Sequence, residues 1–262
     1  LQNGTTFAAA REKTATECGL KSGILDKPNN NLAVEYITAI GKIHSKMDCK
    51  TVARQGAMHD SDEVSGGFVS ASLLREKLKN GDYDFCRNFI SEENLELLEY
   101  ENLSDIKNIE TVILGILRTK SLEDFKTLPD LSEGVENKLF GAIKTATTLG
   151  ELYDSLKVKR YTHARIRRLV LSAVLGLDNS LFMQKPPYIR VLGFNKTGEQ
   201  VLKENIKKSP IPIVLRAKEI ENLSLSANKL FKTEVLATDL YMLSLNKPLE
   251  CGYEYKANLI KG

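Results

Sequence analysis

Ile166, Leu169, Val170, Ala173, Val174 and Leu177 return at steps of three and four residues. An apolar stripe of that period fits an α-helix with one face buried. Such a face needs other apolar faces to cover it, so the stripe commits the chain to packed helices over at least its central part. Further stripes precede it: Leu95, Leu98 and Leu103, then Ile109, Val112, Ile113, Ile116 and Leu117. From Phe89 to about Leu156 the chain therefore reads as acidic, Leu-rich and broken into short helical pieces, with Asp130-Leu131-Ser132 opening a helix that runs to Thr145. At 262 residues there is material for one large domain or two modest ones.

The first eighty or so residues have a different grammar. Thr5 or Thr6 can cap a helix that ends near Gly19 and carries Phe7, Ala8, Arg11, Ala15 and Cys18 at helical spacing. A turn at Pro28-Asn29-Asn30-Asn31 leads into a second helix marked by Leu32, Tyr36, Ala39, Ile40 and Ile43. Cys49 to Ala53 reads as a short strand entering a loop with Gly56, His59, Asp60 and Gly66-Gly67. Ser70 then caps a helix bearing Leu73, Leu74 and Leu78. Helix, strand, loop, helix is the order of α/β folds, in which ligands sit beyond the carboxyl ends of strands. The change of character at Asn80-Gly81-Asp82 predicts units of residues 1–82 and 83–262. Later, Tyr188–Leu192 and Ile211–Leu215 read as strands, the second at an edge because of Pro212. A helix is expected from Glu234 to about Met242, and a turn-like tail after Pro248.

Net charge is only +3, but its distribution is polar. Acidic residues outnumber basic ones twelve to four between Glu92 and Glu136, whereas basic residues lead fourteen to three between Lys157 and Lys218. Such asymmetry speaks to partners rather than to fold. It points to an anionic partner for the second region, or to a solvated lysine face. Tyr161, Arg165, Arg168 and Ser172 fall opposite the apolar stripe, at i, i+4, i+7 and i+11.

Several chemistries find no support. No apolar run approaches the roughly 20 residues of a membrane span, and the start lacks a signal peptide's basic and apolar regions. Cys18, Cys49, Cys86 and Cys251 are scattered without a Cys-x-x-Cys pair, which predicts no zinc site and no disulfide framework, and fits a reducing cytoplasm. No metal site, P-loop or catalytic triad is recognisable. His59-Asp60 offers a general acid–base pair or a hydrogen-bonded loop. No catalytic residue is assigned. Leu1 in place of an initiating Met suggests a processed product or a fragment.

Taken in order, six segments resemble the tRNA(Met) cytidine acetate ligases, a branch of the HxGH-type nucleotidyltransferase superfamily. They are Asn3-Gly4-Thr5 with Ala8-Ala9-Ala10-Arg11; Lys27-Pro28-Asn29-Asn30; Ala53-Arg54 with His59-Asp60; Ser70-Ala71-Ser72-Leu73-Leu74-Arg75; Lys159-Arg160-Tyr161-Thr162 with Arg165-Ile166-Arg167-Arg168; and Pro187 to Gly193. The resemblance implies an α/β fold: the C-terminal portion of a Rossmann-like nucleotidyltransferase domain, then a mainly α-helical domain with a few short strands. It implies ATP, with Mg2+, activating acetate as acetyl-adenylate, and transfer of the acetyl group to the wobble cytidine of elongator tRNA(Met) to form N4-acetylcytidine. Asn29 and Arg54 would contact ATP. An amide at the head of a helix can bond a base or ribose edge, and a guanidinium suits phosphate or a stacked ring. Ser70, Ser72 and Arg75 would cradle phosphate and offset developing charge.

The sequence departs from that family where Ala33, Met58, Ser72 and Leu74 stand in place of its usual Gly, Tyr, Thr and Ile. No His-x-Gly-His occurs, so the half of the site that holds the ATP phosphates is expected on an N-terminal segment, either supplied separately or absent from a C-terminal piece. Alone, the chain should bind ATP weakly and turn nothing over. Lys159, Arg160, Arg165, Arg167 and Arg168 could track a tRNA backbone while Tyr161 stacks on a base. The alternative is that these arginines pair with the acidic helices. Two other functions stay open: nucleotidyl transfer to a small phosphorylated molecule, and a non-catalytic RNA-binding module.

Overall fold

The computed structural model describes residues 7–25, 27–53, 64, 66–98, 102–131, 134–157, 161–182 and 185–262. It divides into two compact units, residues 1–76 with 158–160, and residues 77–157 with 161–262.

In the first unit, α1 (Phe7–Glu17) and α2 (Pro28–Lys42) are tied by an Arg11–Glu35 ion pair at 2.6 Å. Between them runs a loop in which Gly19 and Gly23 take φ of +86° and +85°. That region is open to glycine and strained for side chains with a Cβ. Glu12 straps the loop to α1, accepting the backbone N–H groups of Gly23 at 2.5 Å and Leu25 at 2.6 Å. α2 begins at Pro28 rather than at Leu32, because proline at the first helical position loses no hydrogen bond and already has a helical φ. Cys49–Ala53, read as a strand, has no ladder partner among the described residues. α3 (Ala71–Lys79) follows, and the division between units falls within it.

The second unit is mainly helical. After α4 (Tyr83–Arg87) and α5 (Glu92–Leu97), a 3-10 turn at Ile106–Ile109 leads into α6 (Glu110–Arg118), α7 (Leu122–Lys126), α8 (Val135–Thr145), α9 (Leu149–Leu156) and α10 (His163–Leu175). The apolar faces of α6 to α10 meet in one core, with Leu117, Phe125, Leu139, Leu152 and Val170 wholly excluded from water. α6 braces its neighbours at both ends. Arg118 donates to the carbonyls of Ile143 (3.3 Å) and Ala146 (2.9 Å), and Glu110 accepts the N–H of Leu149 (2.6 Å). These are helix-terminal groups that lack intrahelical partners. α8 starts later than the expected Asp130. Asp130 is left-handed (φ +59°), and Gly134, also left-handed, is the residue that enters the helix.

Beyond α11 (Asn179–Phe182), the two strand-like runs shrink to β1 (Ile189–Arg190) and β3 (Ile213–Val214), a parallel pair. β2 (Gly193–Phe194) pairs in parallel with β4 (Ile260–Lys261), in the tail expected to be only turns. α12 (Lys196–Asn205) packs behind β2, and α13 (Ala217–Ile220) precedes α14 (Leu225–Ser244), which starts nine residues before the expected Glu234. Ser224 caps α14 through the N–H of Ala227 (3.2 Å), which explains the earlier start. A second core of Tyr188, Val214, Ala217, Ile220, Ala227 and Phe231 joins β1, β3, α13 and α14. α15 (Tyr253–Lys256) closes against α14, with Tyr255 edge-on to Phe231 at 5.3 Å.

Candidate functional site

The three adjacent asparagines at the head of α2 behave differently. Asn30 donates its amide to the carbonyl of Ile24 (2.7 Å), and Asn31 donates to the carbonyl of Leu25. Both fold the strapped loop back onto the helix. Lys27 is the N-cap residue, with no side-chain capping bond, so Asn29 is not a cap. Its side chain is exposed and has no hydrogen-bond partner among the described residues. An amide carries two donors and an acceptor with two lone pairs, and at Asn29 all are available to a ligand. Arg54, His59 and Asp60 lie outside the described residues.

Ser70 begins α3 as expected. It is 5% exposed and its hydroxyl accepts the N–H of Leu73 at 3.1 Å. That bond satisfies one of the helix's orphan donors. Ser72 and Arg75 are exposed one turn apart on α3, so both side chains face solvent beside the helix start. Among the described residues there is no group of three or more His, Cys, Asp or Glu side chains able to hold a metal ion.

The basic helix departs most from expectation. Thr162 caps α10 by accepting the N–H of Arg165 (3.3 Å), and Gly176 ends it at φ +64°. Tyr161, expected to offer its ring to a base, is only 5% exposed, and the Arg165 guanidinium lies 4.2 Å from its ring centroid. Ser172, expected on the same outer face, is buried. Tyr161 precedes the Thr162 N-cap, where the 3.6-residue wheel does not apply, and core packing covers more of α10 than a single stripe, which takes in Ser172. Arg165 is itself engaged, pairing with the Asp130 carboxylate at 3.0 Å and donating to the Asp130 carbonyl at 2.8 Å. Arg168 lies 3.8 Å from the same carboxylate and is 67% exposed. The pairing of arginines with the acidic region is therefore what the structure has for Arg165. Arg167 is exposed, 5.9 Å from the Tyr153 ring. Lys159 and Arg160 lie outside the described residues. Asp130 was missed as a partner, although Leu128-Pro129-Asp130 carries the signal of a turn that can project a carboxylate.

Beside Asp130 a cleft of about 600 Å³ is lined by Lys126, Thr127, Leu128, Leu131 and the α11 entry Asp178-Asn179-Ser180. Asp178 accepts Lys229 at 2.6 Å and the N–H of Ser180 at 2.8 Å. The ammonium first, then the Ser180 hydroxyl, holds its pKa down at about 2. Both carboxylates at this cleft are thus occupied by fixed cations.

The sequence pattern of the HIGH nucleotidyl transferases matches residues 1–254. A tRNA(Met) cytidine acetate ligase of Thermoanaerobacter sp. (strain X514) is 33% identical over 272 aligned positions, which take in 100% of this chain and 67% of that protein. One from Caldanaerobacter subterraneus subsp. tengcongensis is 32% identical, over 93% of this chain and 63% of its own length. Among solved structures, Thermotoga maritima TmcAL superposes with a TM-score of 0.86 at 25% identity, over 100% of this chain and 69% of that one. Its form bound with alpha-thio ATP superposes at 0.82, with 68% of that chain covered. This chain spans about two thirds of the length of these relatives. It belongs to the HIGH nucleotidyl transferase family, in the branch of the tRNA(Met) cytidine acetate ligases.

Proposed function

We propose that this chain is part of a cytoplasmic enzyme that ligates acetate to elongator tRNA(Met) at the expense of ATP. In the first step acetate attacks the α-phosphate of ATP, giving acetyl-adenylate and pyrophosphate. In the second, the exocyclic amine of the wobble cytidine attacks the acetyl carbonyl, forming N4-acetylcytidine and releasing AMP. The observation that carries the reading is the one-third identity, along the whole chain, to a relative of that name. The Thermotoga structure that holds an ATP analogue supports the nucleotide.

Within this chain, Asn29 is the residue we assign to the nucleotide, because its neighbours secure the loop and leave its amide free. Arg54, Ser70, Ser72 and Arg75 are assigned with it on the resemblance, Ser70 through its helix start rather than through a free hydroxyl. Residues 1–82 are then the nucleotide-binding part and residues 83–262 the tRNA-facing part. Mg2+ would arrive on the triphosphate. The phosphate-holding HxGH segment would be a further part of the same protein, and the exposed apolar face of α2 gives it a place to pack. Leu32, Tyr36 and Ile43 on that face are 54%, 64% and 71% exposed.

The test is acetate-dependent exchange of labelled pyrophosphate into ATP by the protein with its HxGH segment. Exchange is expected with acetate, and this chain alone is expected to show none. Exchange that requires another carboxylic acid would overturn the choice of acetate. Nucleotidyl transfer to a small phosphorylated acceptor without exchange would overturn the ligase. Asn29→Ala should raise KM for ATP about tenfold, the loss of roughly one hydrogen bond, with helix content unchanged.

A further inference from the structure

Arg165 and Arg168 are drawn to Asp130, so the charge excess between Lys157 and Lys218 has to be sought on other exposed cations as well. α12 and the turn after it carry one group of them, Lys196, Lys203, Lys207 and Lys208. Asn195 caps this helix by accepting the N–H of Gly198 at 2.9 Å. The Gly198 side faces inward, since a Cβ there would stand 2.9 Å from the Cβ of Phe194 on β2. At 100° per residue, Lys196, Glu199, Gln200 and Lys203 then fall on the outward side. Lys207 and Lys208 follow in the turn after Asn205, and Lys261 on β4 is in register with Phe194. All five lysines are exposed.

Their pairing is sparse. Lys203 meets Glu199 at 2.7 Å, and Lys261 adds its field to the same carboxylate. Among the described residues no carboxylate lies within ion-pair distance of Lys196, Lys207 or Lys208. Against five lysines the face carries one glutamate, with Glu204 at its margin. From Lys196 to Lys203 is about 10 Å along the helix, a length over which one strand of a duplex presents roughly three phosphates, and Lys207 and Lys208 continue the row past its end. The outward side holds no large apolar residue; Val201 lies well round the helix from it. A surface helix that enters a lipid interface needs an apolar face to bury, so a polyanion backbone fits this face and a membrane does not.

We infer that the outward face of α12, with Lys207, Lys208 and Lys261, is the surface that holds the RNA phosphate backbone. Arg165 and Arg168 of α10 instead brace the loop at Asp130. This rests on the tRNA reading given above and names the face that serves it.

The experiment is fluorescence anisotropy of a labelled elongator tRNA(Met) transcript with the full chain, between about 50 and 200 mM salt. Four proteins are compared: the unaltered chain, a variant with alanine at Lys196, Lys203, Lys207, Lys208 and Lys261, the same five changed to arginine, and Arg165→Ala/Arg168→Ala. The alanine variant should bind more than tenfold more weakly, with a salt slope shallower by about 3. The arginine replacements should restore the slope, and the α10 variant should keep it. Lys207→Glu/Lys208→Glu, which lies beyond the helix, should weaken binding with no change in melting temperature. The inference is overturned if the alanine variant titrates like the unaltered chain, or if the α10 variant alone accounts for the salt dependence. It is equally overturned if the five-lysine change abolishes binding only to vesicles of anionic phospholipid. Acetate-dependent exchange needs no tRNA, so the ligase reading stands or falls separately.

Discussion

The contact that most directly tests how the second unit is held together is the pair Arg190–Glu254. The Arg190 side chain is 20% exposed and that of Glu254 18%. Arg190 donates from one nitrogen to the Glu254 carboxylate and from another to its carbonyl at 3.4 Å, and it lies 3.9 Å from Glu234. Thr238 donates to the second oxygen of Glu254, and the Tyr188 hydroxyl donates to Glu234 at 2.8 Å. One cation thus serves two carboxylates that link β1 to α14 and α15. Removing one member of a buried pair costs about 3–5 kcal/mol, because the other charge is left without a partner. Arg190→Met leaves two carboxylates facing each other, and partial solvent contact brings the cost to about 3 kcal/mol. Glu254→Gln leaves Arg190 with Glu234 and a neutral acceptor, for about 1.5 kcal/mol. In the double variant the second loss has already been incurred, so the cost should stay near 3 kcal/mol and the coupling should be about 1.5 kcal/mol. For a unit of this size each kcal/mol moves the midpoint by roughly 2–4 °C. Arg190→Met should therefore melt about 6–12 °C lower by differential scanning calorimetry. Additive single effects, or a loss below about 0.5 kcal/mol for Arg190→Met, would refute the reasoning.

Three further outcomes follow from the same geometry. Because the Asp178 pKa is lowered to about 2, its contribution is present above the unfolded-state value near 4 and fades as pH falls from there toward 2. With solvent screening it should amount to about 1 kcal/mol, and acid titration of Lys229→Met should show that increment missing. Burial first, then the hydrogen bond to Glu234, raises the Tyr188 phenol well above its ordinary range. The unfolded chain therefore ionises first, and stability falls as pH rises above about 10; Tyr188→Phe should flatten that alkaline limb in denaturant melts. A Cβ at Gly193 would stand 2.8 Å from the Ile260 carbonyl oxygen, so Gly193→Ala should open the β2–β4 pair. Faster hydrogen exchange at the amides of Ile260 and Gly262, which bond to Leu192 and Phe194, would report it; unchanged exchange would argue against the close approach.

The segment Pro187 to Gly193 shows what could and could not be read in advance. Its letters carried part of the family resemblance, and one strand-like run, Tyr188–Leu192, was visible. Its reduction to β1 and the separate strand β2 were not, because strand length depends on where β3 and β4 arrive from more than twenty and sixty residues away. Part of the first core was legible because its helices carry apolar stripes, as α6 and α10 do, and several have local caps. Ser121, Thr148 and Thr162 accept N–H groups three residues on. Charge partners were not legible. Asp130 and Arg165 are 35 positions apart, and only the fold decides that this carboxylate, among twelve in its region, takes the guanidinium. At the nucleotide end the sequence offers three identical asparagines, and the roles of Asn30 and Asn31 follow from the return of the Gly23 loop. Asn29 becomes informative by elimination, which a sequence alone cannot perform.

The stripes of α2 and α10 have the same period and opposite fates. Ile166 and Leu169 are 1% and 3% exposed, whereas Leu32, Tyr36 and Ile43 remain more than half exposed. Periodicity says that a face has affinity for cover, and it does not say what supplies the cover. Half-burying three such side chains stabilises by about 1 kcal/mol each, enough to shift a docking equilibrium more than a hundredfold. If the proposed HxGH segment covers α2, Leu32→Ser/Ile43→Ser should lower this chain's own melting temperature by no more than a few degrees, since more than half of each side chain is already in water. The same change should weaken docking of the segment at least tenfold and suppress exchange with it. Docking unaffected by both serines would place the segment elsewhere. A drop as large as that of a core substitution would mean that the chain already covers this face in solution.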